Sequence, residues 1–559
     1  MRTWLVAALV VLGGACGARS QSQPLLHLVG QPYFGGSMTL SLSAPAGQPA
    51  LLAYGLDPLQ APLQTSKGPW YVGEFVNLVA IGSIPPSGRL DMPFTMPPVM
   101  PGVAGIPIVL QGYVSPQLSN PATLPLDLPY FLPGDARTIT SPQPQVQAWF
   151  GDTLAVGDLN GDGHIDLIVG AWFEDWQGVE KSGRAYVFWG PELTNWASLA
   201  PTDPKPVGHF GGGIVVADLN VDGTHDLVVA ETTGNPPIPG EPGRLHIYWG
   251  GTPWSATSAL DIESAGTGAE YVMFGRTMTV GDYNDDDWPD VAVGIDKAVV
   301  GGFNNAGRIH VYWGPSFTAR TEVTSPDNGT DNFFGYALAS GDINGDGIDD
   351  LVEGSGRDDV GSVINLGSAH LYLGPSLQHL ATLTTPLQGG FNTRFGDAVR
   401  VLDTGSTAGM SAVVFDLKNH GFVFPPGNLT SPLLIEKPMA GAQVPVGQTL
   451  FGALLSDEDV NGDGYRDMLI SDSLEGYLTN CGIPVGGGRL YLSLAPFFST
   501  FFLLQDTKEH CGDGFGWTSD AGDVDGDGRI DVVVGARNSD AGGLLNSGHV
   551  VLFLGDGDG

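Results

Sequence analysis

A Phe-Gly pair recurs along the chain at Phe150-Gly151, Phe210-Gly211, Phe274-Gly275, Phe334-Gly335, Phe395-Gly396, Phe451-Gly452 and Phe515-Gly516. The spacing of roughly 60 residues makes these pairs markers of one repeated unit, and a unit that small buries its apolar face only against its neighbours. Behind six of the seven pairs runs an aspartate-rich stretch of pattern D-x-[ND]-x-D-[GD]-x-x-D, which starts at Asp158, Asp218, Asp282, Asp342, Asp459 and Asp523. The fifth unit keeps its Phe-Gly and a lone Asp403 in register but has no such loop.

The parts of a unit follow one order. In the first, a small-residue strand over 153–156 enters the aspartate loop, an apolar strand over 166–170 leaves it, and a variable loop leads to a third strand over 183–190. A fourth strand, as over 321–325, then reaches the next Phe-Gly. The 83 glycines and 42 prolines fit many turns between short strands. Four short antiparallel strands repeated seven times predict an all-β fold, a seven-bladed β-propeller over 136–559. The last unit stops after its third strand, and an unpartnered segment at 137–141 matches the fourth strands elsewhere. That segment should complete the last blade, so that the two ends of the ring meet in one sheet without a free edge.

Residues 24–132 lack the repeat and hold only four acids (Asp57, Glu74, Asp91, Asp127) and two bases (Lys67, Arg89). Alternating segments such as 37–43 and 106–113, separated by Pro and Gly turns, predict a small β-sandwich-like domain there. They name no chemistry.

The aspartate loops predict metal sites. Asp158, Asn160 and Asp162 are alternate residues that a tight turn can fold inward, and Gly163 permits the left-handed backbone of that turn. His164 would offer its backbone carbonyl and Asp166 would close the site. The matching sets are Asp218, Asn220, Asp222, Thr224 and Asp226; Asp282, Asn284, Asp286, Trp288 and Asp290; and Asp342, Asn344, Asp346, Ile348 and Asp350. Two more are Asp459, Asn461, Asp463, Tyr465 and Asp467, and Asp523, Asp525, Asp527, Arg529 and Asp531. An all-oxygen set of this size suits calcium, whereas zinc favours His or Cys and magnesium keeps more water. About six calcium ions are expected. Asp287 replaces the turn glycine in the third loop and makes that site the weakest. An EF-hand is excluded, because strand residues follow where a helix and a Glu at position twelve would be needed.

Charge narrows the partners. Sixty acidic against 23 basic residues give a net charge of -37, which argues against nucleic acid or an anionic membrane. Residues 1–18 read as an export signal, with Arg2 before an apolar stretch and a run of small residues, so the protein is expected outside the cytoplasm, secreted or at the cell surface. Cys16 also fits a lipoprotein signal ending before it, and Ala18 offers ordinary cleavage instead; a lipid anchor at Cys16 stays open. Cys481 and Cys511 in an exported chain predict a disulfide, the alternative being two buried thiols. Nothing beyond the signal is long and apolar enough to predict a transmembrane span.

The Phe-Gly pairs, the aspartate loops, and the Gly-Ala pairs at Gly170-Ala171 and Gly535-Ala536 resemble the FG-GAP repeats of the integrin alpha-chain amino-terminal propeller and its bacterial relatives. The resemblance spans 136–559. It implies calcium loops on one face and partner binding on the other, the latter built from loops over 171–182, 231–242, 295–306, 354–366, 471–487 and 536–547. The chain differs from the integrin pattern in having no inserted adhesion domain, no D-x-S-x-S motif and six aspartate loops, which argues against integrin-style pairing with a beta chain.

Within the first of these loops Trp172, Phe173, Glu174, Asp175 and Trp176 combine rings that could stack on a sugar with acids that could bind its hydroxyls. An amphipathic loop that merely covers the disc is the plainer reading. Glu174 with a second acid could also form a glycosidase pair, though so acidic a chain offers many such pairs. His246, His310 and His370 share one repeat position with Tyr186, Tyr491 and Val551, which marks a strand packing site. Trp189, Trp249 and Trp313 likewise share a strand end. No catalytic motif of the G-x-S-x-G, H-E-x-x-H or Walker type occurs. Together these features predict an exported, calcium-binding propeller that recognises an extracellular protein or glycan. The alternatives are a secreted carbohydrate-active enzyme and a purely structural surface protein.

Overall fold

In every complete unit the second strand reads as an unbroken apolar run, which is the pattern of a strand covered on both faces. In the computed structural model the strands Asp166–Ala171, Asp226–Glu231, Asp290–Ile295, Asp350–Ser355 and Asp531–Ala536 are buried at every position. Fourth strands such as Arg320–Val323 and Gln378–Leu383 alternate exposed and covered residues instead, as edges at a rim should. The structure describes the strands within 25–124, together with residues 136–232, 243–264, 273–327, 329–387, 392–403, 409–417, 420–436, 457–458, 460, 466–472, 488–493, 500–504 and 513–555. Among these the one helical element is a single 3-10 turn, Ala541–Gly543.

The architecture is all-β, with the strands of each unit paired as an antiparallel meander and the units set as blades of a β-propeller. First strands line the axis: Thr153–Gly157 packs beside Phe210–Ala217 on one side and Phe515–Gly522 on the other. The predicted closure is present. Arg137–Thr140 pairs antiparallel with His549–Phe553, Ile139 opposite Val550, and completes the sheet begun by Phe515–Gly522 and Asp531–Ala536.

The Phe-Gly pair joins one blade to the next. Phe210 is fully buried between Ile168, Val187 and Leu199 of the first blade and Leu227 and Val229 of the second. Its N–H donates to the Ser182 carbonyl of the preceding blade at 2.9 Å, and Phe334 and Phe395 repeat the bond at 3.0 Å to Ala306 and Leu366. Phe150 makes the same bond to Ser547 at 3.1 Å, across the closure. Gly211 sits at φ 85°, and its carbonyl lies where a Cβ on Gly170 would be, so both motif glycines answer to close approach between blades.

The expectation of seven blades is corrected. Six separate four-stranded blades stand around the axis. The sixth repeat contributes Asp457–Glu458, Asp467–Asp472, Arg489–Ser493 and Thr500–Leu504, but these belong to a seven-stranded sheet. The cause is the outer edge of Thr500–Leu504, which pairs in parallel with Leu25–Gly30, Phe501 opposite Val29, so this sheet runs on past four strands. Its first strand is also only two residues long. The separate β-sandwich expected over 24–132 is not seen as such. Ser37–Ser43 and Arg89–Thr95 extend that same seven-stranded sheet, while Pro49–Thr65, Gly68–Ser83, Ile108–Val114 and Gln117–Leu124 form a four-stranded sheet of their own.

Candidate functional site

The aspartate loops connect first to second strands and therefore lie together at one end of the propeller. In the first loop the Asp158 carboxylate accepts from Gly161 N and Gly163 N at 2.8 Å each, Asn160 Oδ1 accepts from Asp162 N at 2.8 Å, and Asp162 Oδ1 accepts from His164 N at 2.9 Å. The second, third and fourth loops repeat the central bond, Asp218 to Gly223 at 2.8 Å, Asp282 to Asp287 at 2.9 Å and Asp342 to Gly347 at 2.8 Å. Each first aspartate is thus the hub of its turn. Asp287 adopts the glycine's left-handed conformation at φ 64°, which an aspartate tolerates better than most residues.

The last aspartate of each loop has a second task. Asp166 is fully buried and clamps two backbone amides, Leu159 N on Oδ2 and Gly190 N on Oδ1, both at 3.0 Å. Asp226, Asp290, Asp350 and Asp531 do the same for Leu219 and Gly250, Tyr283 and Gly314, Ile343 and Gly374, and Val524 and Gly555. Asp467 holds Val460 N at 3.1 Å. Burial pushes the carboxyls of Asp166, Asp350 and Asp531 up to about 6 and that of Asp290 to about 7, and raises Asp226 too, with the neighbouring loop acids adding to the rise. A divalent cation would reverse that logic by favouring the charged form.

The donor set fits such an ion. Ligand atoms of Asp523, Asp525 and Asp531 lie within 4.8 Å of one another. Asn284 Oδ1 and Asp523 Oδ1, both in predicted ligand positions, are buried oxygens with no hydrogen-bond partner, an arrangement that costs stability unless something binds them. Asp459, Asn461, Asp463 and Tyr465 lie outside the described residues, as do Phe451-Gly452, the export signal with Cys16, and Cys481 and Cys511.

At the other end the aromatic loop is not the open sugar platform its composition suggests. Trp172 is buried in a cluster with Trp149, Phe173 and Met273, and His209 stacks on Phe173 with centroids 4.7 Å apart. Glu174 is fully buried: Arg184 Nη1 donates to it at 2.9 Å and the Tyr186 hydroxyl at 2.9 Å. Its carboxyl rises above the usual range through burial, in spite of the arginine. Glu174 is therefore committed to the blade interior, which removes the basis for a glycosidase pair built on it. Trp176 carries the Arg184 guanidinium 4.2 Å from its ring centroid and Asp175 holds Lys181 N at 2.7 Å. The cause is blade register, which sets the start of the third strand, Arg184, under the loop that follows the second. His246, His310 and His370 are buried in strands, as their repeat position predicted.

What sequence reading missed at this end is a ring. The residue after each Phe-Gly lines the axis: Asp152, Gly212, Arg276, Tyr336, Asp397 and Trp517. The signal was present, since this position follows the motif immediately and yet takes five residue types in the six units: Asp (twice), Gly, Arg, Tyr and Trp.

The FG-GAP repeat family matches residues 150–188, 334–366 and 515–553. The chain carries FG-GAP repeats. The chain is similar to phosphatidylinositol-glycan-specific phospholipase D of Homo sapiens, 30% identical over 212 residues, which are 34% of this chain and 24% of that protein. Integrin alpha-IIb of Mus musculus is 33% identical over 162 residues, 27% of this chain and 15% of the integrin. Integrin alpha-5 of Xenopus laevis is 27% identical over 262 residues, 43% of this chain and 24% of the integrin. The FG-GAP chain thus matches a quarter or less of the length of these relatives. No helix among the described residues is long and apolar enough to cross a membrane.

Proposed function

We propose that this chain is an exported recognition module, a calcium-stabilised propeller that binds an extracellular protein or glycan through the end opposite its aspartate loops. The observation that carries the reading is the contrast between the two ends. The loop end repeats one hydrogen-bonding scheme from blade to blade, whereas the Phe-Gly end sets residues of differing chemistry, Asp, Gly, Arg, Tyr and Trp, on a rigid frame, the division expected of scaffold and recognition surface. Similarity to integrin alpha chains supports a recognition role.

Calcium would be held by the side chains of Asp158, Asn160, Asp162 and Asp166 with the carbonyl of His164, and by the corresponding sets in the other loops. Its chemistry would be charge neutralisation among clustered carboxylates, with no part in a reaction. The relatives named as phospholipases keep an enzymatic reading in view, which the test addresses. The full-length protein is applied to arrays of glycans and extracellular proteins in calcium, in parallel with assays for product release from polysaccharides and glycolipids. Saturable binding without turnover supports the reading. Turnover, or no binding to either array by folded protein, would overturn it.

A further inference from the structure

The axis of the propeller is not filled. A cavity of about 450 Å³ opens among the first strands, a size typical of small-ligand sites. At its Phe-Gly end stand groups that the fold leaves without partners. The guanidinium of half-buried Arg276 has no hydrogen bond or ion pair among the described residues; its contact is the Trp172 ring, 5.9 Å from centroid to guanidinium. The Tyr336 hydroxyl and the Asp296 carboxylate line the same space, also without side-chain hydrogen-bond partners there.

The neighbouring charges are already spoken for. Arg394 binds Asp397 at 2.9 Å, and Arg537 binds Asp152 while lying 3.1 Å from the Trp517 ring centroid. Arg357, seated over Phe333 at 4.5 Å, adds a further positive charge close enough to act on Asp296. In a chain of net charge -37, this mouth keeps Arg276 and Arg357 against the one carboxylate of Asp296, on which both act at a distance without a hydrogen bond. A fixed, unpaired guanidinium in a low-dielectric wall selects a planar anion, which it can bind through two parallel N–H donors.

We propose that the axial cavity binds an acidic sugar residue, its carboxylate on Arg276, with Tyr336 donating to it and Asp296 accepting from a ring hydroxyl. The excess positive charge favours a ligand of net charge -1 over a zwitterionic amino acid, and the volume exceeds what an amino acid fills. The inference rests on the recognition reading above and names the chemistry of its partner: a uronic-acid-type residue of a glycan.

The test is saturation-transfer NMR on the full chain in calcium, with glucuronate, neutral glucose and glycine as probes. Glucuronate should bind at least tenfold more tightly than glucose. Arg276→Gln should weaken it tenfold or more with the melting temperature unchanged, and Arg320→Gln on an exposed fourth strand should leave it intact. Should Arg276→Gln fold poorly, Tyr336→Phe removes one hydroxyl and should still weaken glucuronate severalfold. The site is overturned if glucuronate does not bind, if it binds Arg276→Gln as well as the parent, or if glycine is preferred. Array binding that survives in Arg276→Gln would leave the recognition reading standing while removing the axial site from it.

Discussion

The two ends of the propeller are built from the same strands and obey opposite rules. At the loop end, five of the six blades set an aspartate in the same backbone hydrogen bonds, and the shared feature is crowded carboxylates whose buried members resist ionisation. At the Phe-Gly end the backbone contacts between blades are uniform, but the next residue is Asp, Gly, Arg, Tyr, Asp or Trp. The lesson is that a repeat constrains only what neighbours must share. Blade docking and the turn hub are shared, and the axial position is free to specialise.

The largest expected effect lies at the loop end. With dissociation constants near 0.1 mM, typical of the tighter extracellular sites, about 1 mM calcium contributes roughly 1.4 kcal/mol per site and about 8 kcal/mol over six independent sites. Chelation with EDTA should therefore lower the melting temperature by many degrees in calorimetry, and an unmoved curve with the sites verified as empty would break the comparison.

Next in size is the pair at the other end. Glu174→Ala leaves Arg184 buried without its carboxylate, held only by the Gln143 side chain and ring contacts, so chemical denaturation should show a loss of about 3–5 kcal/mol. A loss below about 1 kcal/mol would mean that Glu174 is not committed to the interior after all.

His209 at the Phe-Gly end should respond to acid with the sign opposite to that of the loop carboxyls. Burial lowers His209 to about 4, with Lys181 and Arg276 adding to the shift, so the unfolded chain, near 6.5, binds its proton first. Stability from this group is complete above about pH 6.5 and is lost as the pH falls toward 4. His209→Phe should flatten that part of the stability curve by about 1 kcal/mol per pH unit; the left-handed backbone there (φ 57°) already accepts Phe333 at the matching position (φ 56°). The raised loop carboxyls work the other way. In EDTA, stability from Asp166 and Asp290 should fall as the pH rises from about 4 through 6 to 7, and calcium should abolish that fall. A pH series of melting curves with and without calcium checks both signs.

The smallest effect concerns a lone interior acid. Glu353 is fully buried and accepts from Gly335 N at 2.8 Å and the Ser355 hydroxyl at 2.9 Å, while its Oε2 has no partner. Burial raises its carboxyl well above the usual range, so it costs stability as the pH rises above about 4.5. Glu353→Gln should gain about 1 kcal/mol at pH 7 and nothing at pH 4 by urea titration.

Much of this was legible in the sequence, for identifiable reasons. Phe210 and its counterparts are constrained by contacts that every blade makes, so they recur visibly, and the closing strand Arg137–Thr140 could be found because it copies a pattern whose usual place is vacant. The sixth unit failed as an independent blade because its outer strand meets Leu25–Gly30, a pairing between segments that share no motif. The burial of Glu174 could not be read for a similar reason. Its partner Arg184 is only ten residues away, yet a loop must fold back across a strand to bring them together, and composition does not record that path. The axial cavity depends on six first strands at once and is read from no single one of them.

The closing strand has a mechanical consequence. Arg137–Thr140 lies directly downstream of residues 24–132 in the chain and is the first piece of the ring reached from that side. A pull transmitted to Arg137–Thr140 would act on four residues of antiparallel pairing, while one applied ahead of Leu25–Gly30 would first load that strand's pairing with Thr500–Leu504. Once Arg137–Thr140 peels away, the edge of His549–Phe553 is bare and the circle becomes an arc. Resistance to tension from the amino-terminal side is thus set by these two edge pairings, not by the number of blades.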